Sequence, residues 1–263
     1  MIYYIHSDFT SYIKIKKIQK MYEQNKSKNF INIALKLMSN DIENLFGKNY
    51  ILPNYNYDFP KSKIFNLNKD VSQTGIFTEF CRKKSSFYRS NIPIFSSISR
   101  KKNLIINNHN KIINPFDKNS EWENLYLKKG KIVNFGSLFS PTYIHYIEHK
   151  YQGTLHYRYF KKFNGKIKLT TNIKKTVELE FMVRTRSIKE PLYDVKKIKN
   201  ELIREGILKS YIFEKSLKYD ITDARDFSDY AISKMRKDKM YFLNKKAKAF
   251  ILDILKKKKR LYK

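Results

Sequence analysis

His145 and Glu148 stand three residues apart in the stretch Pro141-Thr142-Tyr143-Ile144-His145-Tyr146-Ile147-Glu148. On a helix that spacing puts an imidazole and a carboxylate on one face. A neutral imidazole can take a proton from an incoming nucleophile. A carboxylate beside it can orient the ring, stabilise its charged form or hold a substrate ammonium. An ordinary helix with a solvent-facing His and Glu has the same spacing, so the pair alone names a chemistry without establishing it. His149 completes His-x-x-Glu-His, the order found in inverted zinc peptidases, where two His at i and i+4 reach one zinc and the Glu serves as base. Three fixed residues in five recur by chance, and no downstream acidic ligand helix accompanies them. No metal is therefore expected, and a zinc hydrolase is kept as the lesser alternative.

Other residues could hold a ligand. His6-Ser7-Asp8 falls at the end of a short apolar run and could contact a cofactor; the plainer reading is a polar turn. Arg89-Ser90 offers a guanidinium and a hydroxyl suited to phosphate or carboxylate, or else a surface pair. Cys81 is the only cysteine, with no histidine near it in sequence, and reads as packing rather than as a nucleophile. Glycine-rich phosphate loops and dinucleotide fingerprints are absent from the sequence.

The elements that must position these residues are strands and helices intermixed. Met1–Ile5 reads as a strand, and apolar periodicity from about Tyr12 to Leu45 reads as helix. Tyr50-Ile51-Leu52-Pro53 is a strand ended by proline, residues 54–73 a loop, and Gly75–Arg82 a short helix. Tyr88–Pro93 is extended, since the residue before proline avoids the helical region. Lys131–Gly136 is a buried strand, followed near Thr142 by the helix carrying His145. Runs between Lys166 and Arg184 are β-like. Asp194 can cap a helix that stops at Gly206, and Asp223 or Asp226 can start another. The expectation is an α/β fold: a single mixed-sheet domain with flanking helices over residues 1–245, and a basic C-terminal helix or tail over 246–263.

Composition narrows the class. The 263 residues are 41% hydrophobic and 15% aromatic, enough for a real core. No apolar run is long enough to span a membrane, and Met1–Ile5 lacks the features of a secretory signal. With one cysteine, a reducing cytoplasm is the expected compartment. Lys+Arg number 55 against 24 Asp+Glu, a net charge of +31. Such a charge would suit a nucleic-acid-binding protein without catalysis. However, Lys, Asn, Ile, Tyr and Phe, the abundant residues, all have A/T-rich codons, and the basic residues are spread along the chain without a recognisable binding motif. Compositional drift explains the charge better, and a polyanion would still be attracted.

Taken in order, the segments resemble the aminoglycoside 3-N-acetyltransferase family, the antibiotic N-acetyltransferases distinct from the GNAT fold. The blocks are His6-Ser7-Asp8-Phe9, Tyr50–Tyr55, Gly75–Arg82 and Arg89-Ser90-Asn91-Ile92-Pro93-Ile94-Phe95-Ser96. Pro115-Phe116-Asp117, Trp122, Gly130–Gly136, Thr142–Glu148 and Tyr157-Arg158-Tyr159 follow. The resemblance spans roughly residues 2–240. It implies an antibiotic N-acetyltransferase-like fold and transfer of acetyl from acetyl-CoA, as co-substrate, to an amine of an amino-sugar. In that scheme His145 is the general base, and Glu148 orients it or binds the ammonium. His6, Ser7 and Asp8, with Arg89 and Ser90, would lie near the CoA. Because the chain is so basic, an amino-sugar that carries negative charge, nucleotide-linked or within a surface polysaccharide, suits it better than a polycationic antibiotic.

Overall fold

The computed structural model describes residues 1–25, 29–139, 142–185, 188 and 192–257. The chain opens with β1 (Tyr3–Ser7), α1 (Phe9–Ile13), α2 (Lys16–Asn25), α3 (Phe30–Phe46) and β2 (Tyr50–Pro53). It continues through α4 (Phe59–Ser62), β3 (Ile64–Asn66), α5 (Ile76–Arg82), β4 (Tyr88–Arg89), β5 (Ser97–Ser99) and β6 (Ile112–Ile113). Then come α6 (Glu121–Leu127), β7 (Lys131–Phe135), α7 (Thr142–Lys150), β8 (Arg158–Lys168) and β9 (Lys174–Arg184). The last elements are α8 (Val195–Arg204), β10 (Leu208–Phe213), β11 (Leu217–Asp223), α9 (Ala224–Lys237) and α10 (Lys245–Lys256).

A seven-stranded mixed sheet runs β10-β11-β7-β1-β2-β5-β4, with β7, β1 and β2 parallel at its centre. Side chains alternate across a strand, so each central strand feeds two cores. Ile5, Leu52, Val133 and Phe135 face Ala34, Leu35, Met38 and Ile42 of α3. Tyr4, Ile51 and Ile132 face the opposite way, into the larger core with Trp122, Ile144, Ile147 and Phe227. That side is closed by α6, α7 and α9 and by a second, four-stranded sheet, β3-β8-β9-β6.

The α/β class with flanking helices is as expected, but the strands form two sheets rather than one. The long β8–β9 hairpin takes short parallel partners on both edges, β3 on β8 and β6 on β9. β3 comes from the segment expected to be loop, and pairing with residues a hundred positions away is what makes it a strand. The continuous helical reading from Tyr12 to Leu45 breaks into α1, α2 and α3. The helix set apart as a basic tail is α10, and Ala247 and Ile251 sink it into the larger core. Residues 258–263, the end of the basic run, lie outside the described residues. Among the described residues no helix is long and apolar enough to cross a membrane.

Candidate active site

β7 ends at Phe135 and Gly136 turns the chain at φ +67°. A Cβ there would meet Leu217 Cδ1 at 2.8 Å and Ser11 Cβ at 3.2 Å, so glycine serves both conformation and close approach. The loop then leads into α7, in which Thr142 is itself the first helical residue. Tyr143, Ile144, Tyr146 and Ile147 bury the helix, and two hydroxyls lock it in place. Tyr143 donates to the carbonyl of Ala224 at 3.0 Å, and Tyr146 donates to Glu123 at 2.6 Å. The rotation of α7 is thereby fixed, with Glu148 turned inward (1% exposed) and His145 at the margin (27%).

A buried carboxylate must be paired. Arg158, the first residue of β8, places Nε 2.9 Å from Glu148 Oε2. Tyr193, held by a bridge to Leu243 just before α8, donates its hydroxyl to the same oxygen at 2.8 Å. Arg158 Nη2 touches the Tyr193 hydroxyl and lies 2.8 Å from Nδ1 of His145. That Nδ1 is 3.6 Å from Glu148 Oε2. The His145 ring packs near the aromatic rings of Phe116 (5.8 Å between centroids) and Tyr193 (6.1 Å). Burial and the Arg158 charge pull its pKa below the ordinary imidazole value, only partly offset by Glu148, so the ring is neutral at neutral pH. For Glu148, Arg158 and His145 outweigh the burial that would raise its pKa; its carboxyl stays below the usual range and ionised.

The expected pair is therefore part of one cluster, whose other two members, Arg158 and Tyr193, carry no signal of a role in the sequence. Arg158 was visible only as the middle of Tyr157-Arg158-Tyr159. Tyr193 was masked by its neighbour Asp194, whose capping signal is the stronger one. His149, the third member of the zinc-like pattern, has separate partners, with Nε2 2.8 Å from Asn114 Nδ2 and its ring edge-on to Phe160. Among the described residues no group of three or more His, Cys, Asp or Glu could hold a metal ion.

The segment His6-Ser7-Asp8 does lie at a strand end, next to β7. His6 pairs with Asn134 and Ser7 with Phe135. Burial drives the His6 imidazole to about 4, and its Nε2 has no hydrogen-bond partner among the described residues. Asp8 caps α1, accepting from the backbone N–H groups of Thr10 and Ser11 and from the Ser11 hydroxyl at 2.6 Å. Beside this turn opens a cavity of about 710 Å³ lined by Ser11, Lys14, Ser137, Val195, Lys196 and Lys218, with Lys199 paired to Asp220. Its wall is continuous in sequence with the site: Val195 follows Tyr193 by two residues, and Phe139 belongs to the loop entering α7.

Arg89 and Ser90 are engaged elsewhere. Arg89 donates to the carbonyls of Leu67 (3.1 Å), Asp70 (2.6 Å) and Asn54 (3.4 Å) and to Ser96 Oγ, with its guanidinium over Phe65. The fully buried Ser90 hydroxyl accepts from the N–H of Ser97. These side chains pin the 54–73 segment to the sheet, and most of the donors that a phosphate would need are spent on carbonyls.

The buried cluster of His145, Glu148, Arg158 and Tyr193 draws on α7, β8 and the segment before α8, and the fold that assembles it has solved counterparts. The fold superimposes on aminoglycoside acetyltransferase AAC(3)-Xa with a TM-score of 0.65 at 13% identity, covering 92% of this chain and 87% of that one. AAC-IIIb in binary complex with CoASH gives 0.63 at 13%, covering 90% of each chain. The YokD protein from Bacillus subtilis gives 0.62 at 12%, covering 91% and 88%. At these identities the likeness is one of fold. Residues 49–236 match the aminoglycoside 3-N-acetyltransferase family, and the chain belongs to it, and so to the acyltransferases. No curated protein matches the chain.

Proposed function

We propose that this protein transfers the acetyl group of acetyl-CoA to an amine of an amino-sugar, with His145 as general base. An amine is mostly an ammonium at neutral pH and must lose a proton before it can attack. In this reading the proton passes to the imidazole, the nitrogen adds to the thioester carbonyl, and the C–S bond breaks to leave the CoA thiolate. Glu148 stabilises the imidazolium that forms. The observation that carries the reading is the neutral, partly exposed His145 backed by a buried carboxylate that is itself fixed by Arg158 and Tyr193.

The lysine-lined cavity suits the phosphates of CoA, and His6, Ser7 and Asp8 form the turn beside it. Arg89 and Ser90 serve the acyl donor only through the segment they hold. A net charge of +31 favours an acceptor that carries negative charge, nucleotide-linked or within a surface glycan, over a polycationic aminoglycoside. A cytoplasmic location follows from dependence on acetyl-CoA. The test is release of free thiol from acetyl-CoA across a panel of amino-sugars, with His145→Ala alongside. Turnover that the substitution leaves intact would remove His145 from the mechanism, and absence of CoA binding would remove the activity.

A further inference from the structure

A guanidinium has only donors to offer. With Arg158 Nη2 2.8 Å from Nδ1 of His145, Nδ1 must present its lone pair. A neutral ring then carries its one proton on Nε2. In that tautomer His145 can donate from Nε2 but cannot take a proton there, although the ring is uncharged. The carboxylate behind it is meanwhile unevenly used. Oε2 of Glu148 receives the Tyr193 hydroxyl and lies 2.9 Å from Arg158 Nε, yet neither that Nε nor the other carboxylate oxygen, Oε1, has a hydrogen-bond partner among the described residues. Arginine and carboxylate planes favour two parallel contacts, one to each oxygen. Turning the guanidinium into such a fork would satisfy both unpaired atoms, with Nε on one oxygen and the Nη2 now resting on His145 and Tyr193 on the other.

We propose that Arg158 is a positioning residue that switches the tautomer of His145. Seated on Nδ1 it holds the ring as Nε2–H; moved onto Glu148 Oε1 it frees Nδ1 to carry the proton, and Nε2 becomes basic. Solvent balances the exchange, taking a proton from Nε2 and delivering one to Nδ1, and the ring stays neutral throughout. Glu148 Oε2, 3.6 Å away, is the acceptor toward which the new Nδ1–H points. The Tyr193 hydroxyl oxygen, 3.4 Å from Nδ1, is a second acceptor for that N–H.

The proposal rests on the reading of His145 as the base, but its test does not depend on turnover. The whole protein, labelled with ¹⁵N in its five histidines, is examined by long-range ¹H–¹⁵N spectra at neutral pH, with His145→Gln identifying the ring by loss of its signals. The free protein is expected to show His145 with Nδ1 unprotonated and Nε2 protonated. Arg158→Lys keeps a cation for Glu148 but lacks the fork, and its spectrum is expected to shift toward the Nδ1–H form. A wild-type ring already protonated at Nδ1 would overturn the proposal, and so would a folded Arg158→Lys with the tautomer unchanged. Should that variant fail to fold, the wild-type spectrum alone decides. Failure of the acetylation assay would instead remove the proposed activity and leave the tautomer result standing.

Discussion

Arg158 Nε and Glu148 Oε2 face each other at 2.9 Å, with the two side chains only 4% and 1% exposed. Such a pair contributes little net stability when intact, because desolvation offsets the attraction. Removing one partner is another matter, since the survivor keeps its charge in a dry site. Glu148→Gln is expected to lower unfolding stability in urea by about 3–5 kcal/mol. Replacing both residues by Met should recover most of that loss while leaving no acetyl transfer. A Glu148→Gln protein as stable as the wild type would show that Arg158 finds water or another partner.

The electrostatics of His145 make a second expectation. Its pKa is drawn below the ordinary imidazole value of 6.5 by burial first and by Arg158 second. A base is lost when it is protonated, so a depressed pKa moves the acid limb of the rate profile downward. With an acceptor whose amine ionisation is known and corrected for, kcat/KM should stay level through neutrality and fall only below that ordinary value. A limb at or above it, or an NMR titration of the ring with its midpoint there, would contradict the environment described.

How far the sequence alone could see is clearest within this cluster. His145 and Glu148 were legible because their relation is local: three residues on one helix, after a strand whose run of apolar residues is unmistakable. The Asp194 and Asp223 caps were legible for the same reason, each accepting from N–H groups two or three residues on. Arg158 and Tyr193 reach His145 across 13 and 48 residues of chain, through β8 and the segment before α8. Nothing in their own neighbourhoods announces that. β3 and β6 are similar, being strands of three and two residues that exist only by pairing with the β8–β9 hairpin. Arg89 misled in the other direction, because a guanidinium that suits a phosphate suits three carbonyls equally well.

Glu121 makes stability depend on pH. It opens α6 in full burial, with Oε2 on the Ser97 hydroxyl and Oε1 3.4 Å from the N–H of Ile106, and burial pushes its carboxyl up to about 7 from 4.5. A raised acid favours the folded state fully below about 4.5, and that advantage, about 3 kcal/mol, is lost as pH climbs to about 7. His6 works the other way, since its pKa falls from 6.5 to about 4 and its contribution disappears as pH drops through that range. The two slopes oppose each other between about 4.5 and 6.5. Glu121→Gln should therefore gain stability with pH more steeply than the wild type across that window, read from urea midpoints at a series of pH values. Parallel curves would mean that Glu121 is not held protonated.

Lys14, Lys196 and Lys218 converge on the cavity from the end of α1, from α8 and from β11, and the close approach at Gly136 sets β11 and α1 together there. If this cavity takes the phosphates of CoA, each lysine acts as a solvent-screened charge at the rim rather than a buried partner. The contribution of such a contact is about 0.4–1 kcal/mol. Each Lys→Ala change should then raise KM for acetyl-CoA about two- to fivefold with kcat little altered. The three together should weaken binding multiplicatively and flatten its dependence on ionic strength, because fewer charges remain to be screened. Asp220, already paired with Lys199 at 2.6 Å, offers the converse control. Asp220→Asn removes a negative charge from the same wall and should tighten CoA binding where the lysine changes loosen it. If KM is indifferent to all four changes, the cavity does not hold the acyl donor, and the anion must be sought on another face of the fold.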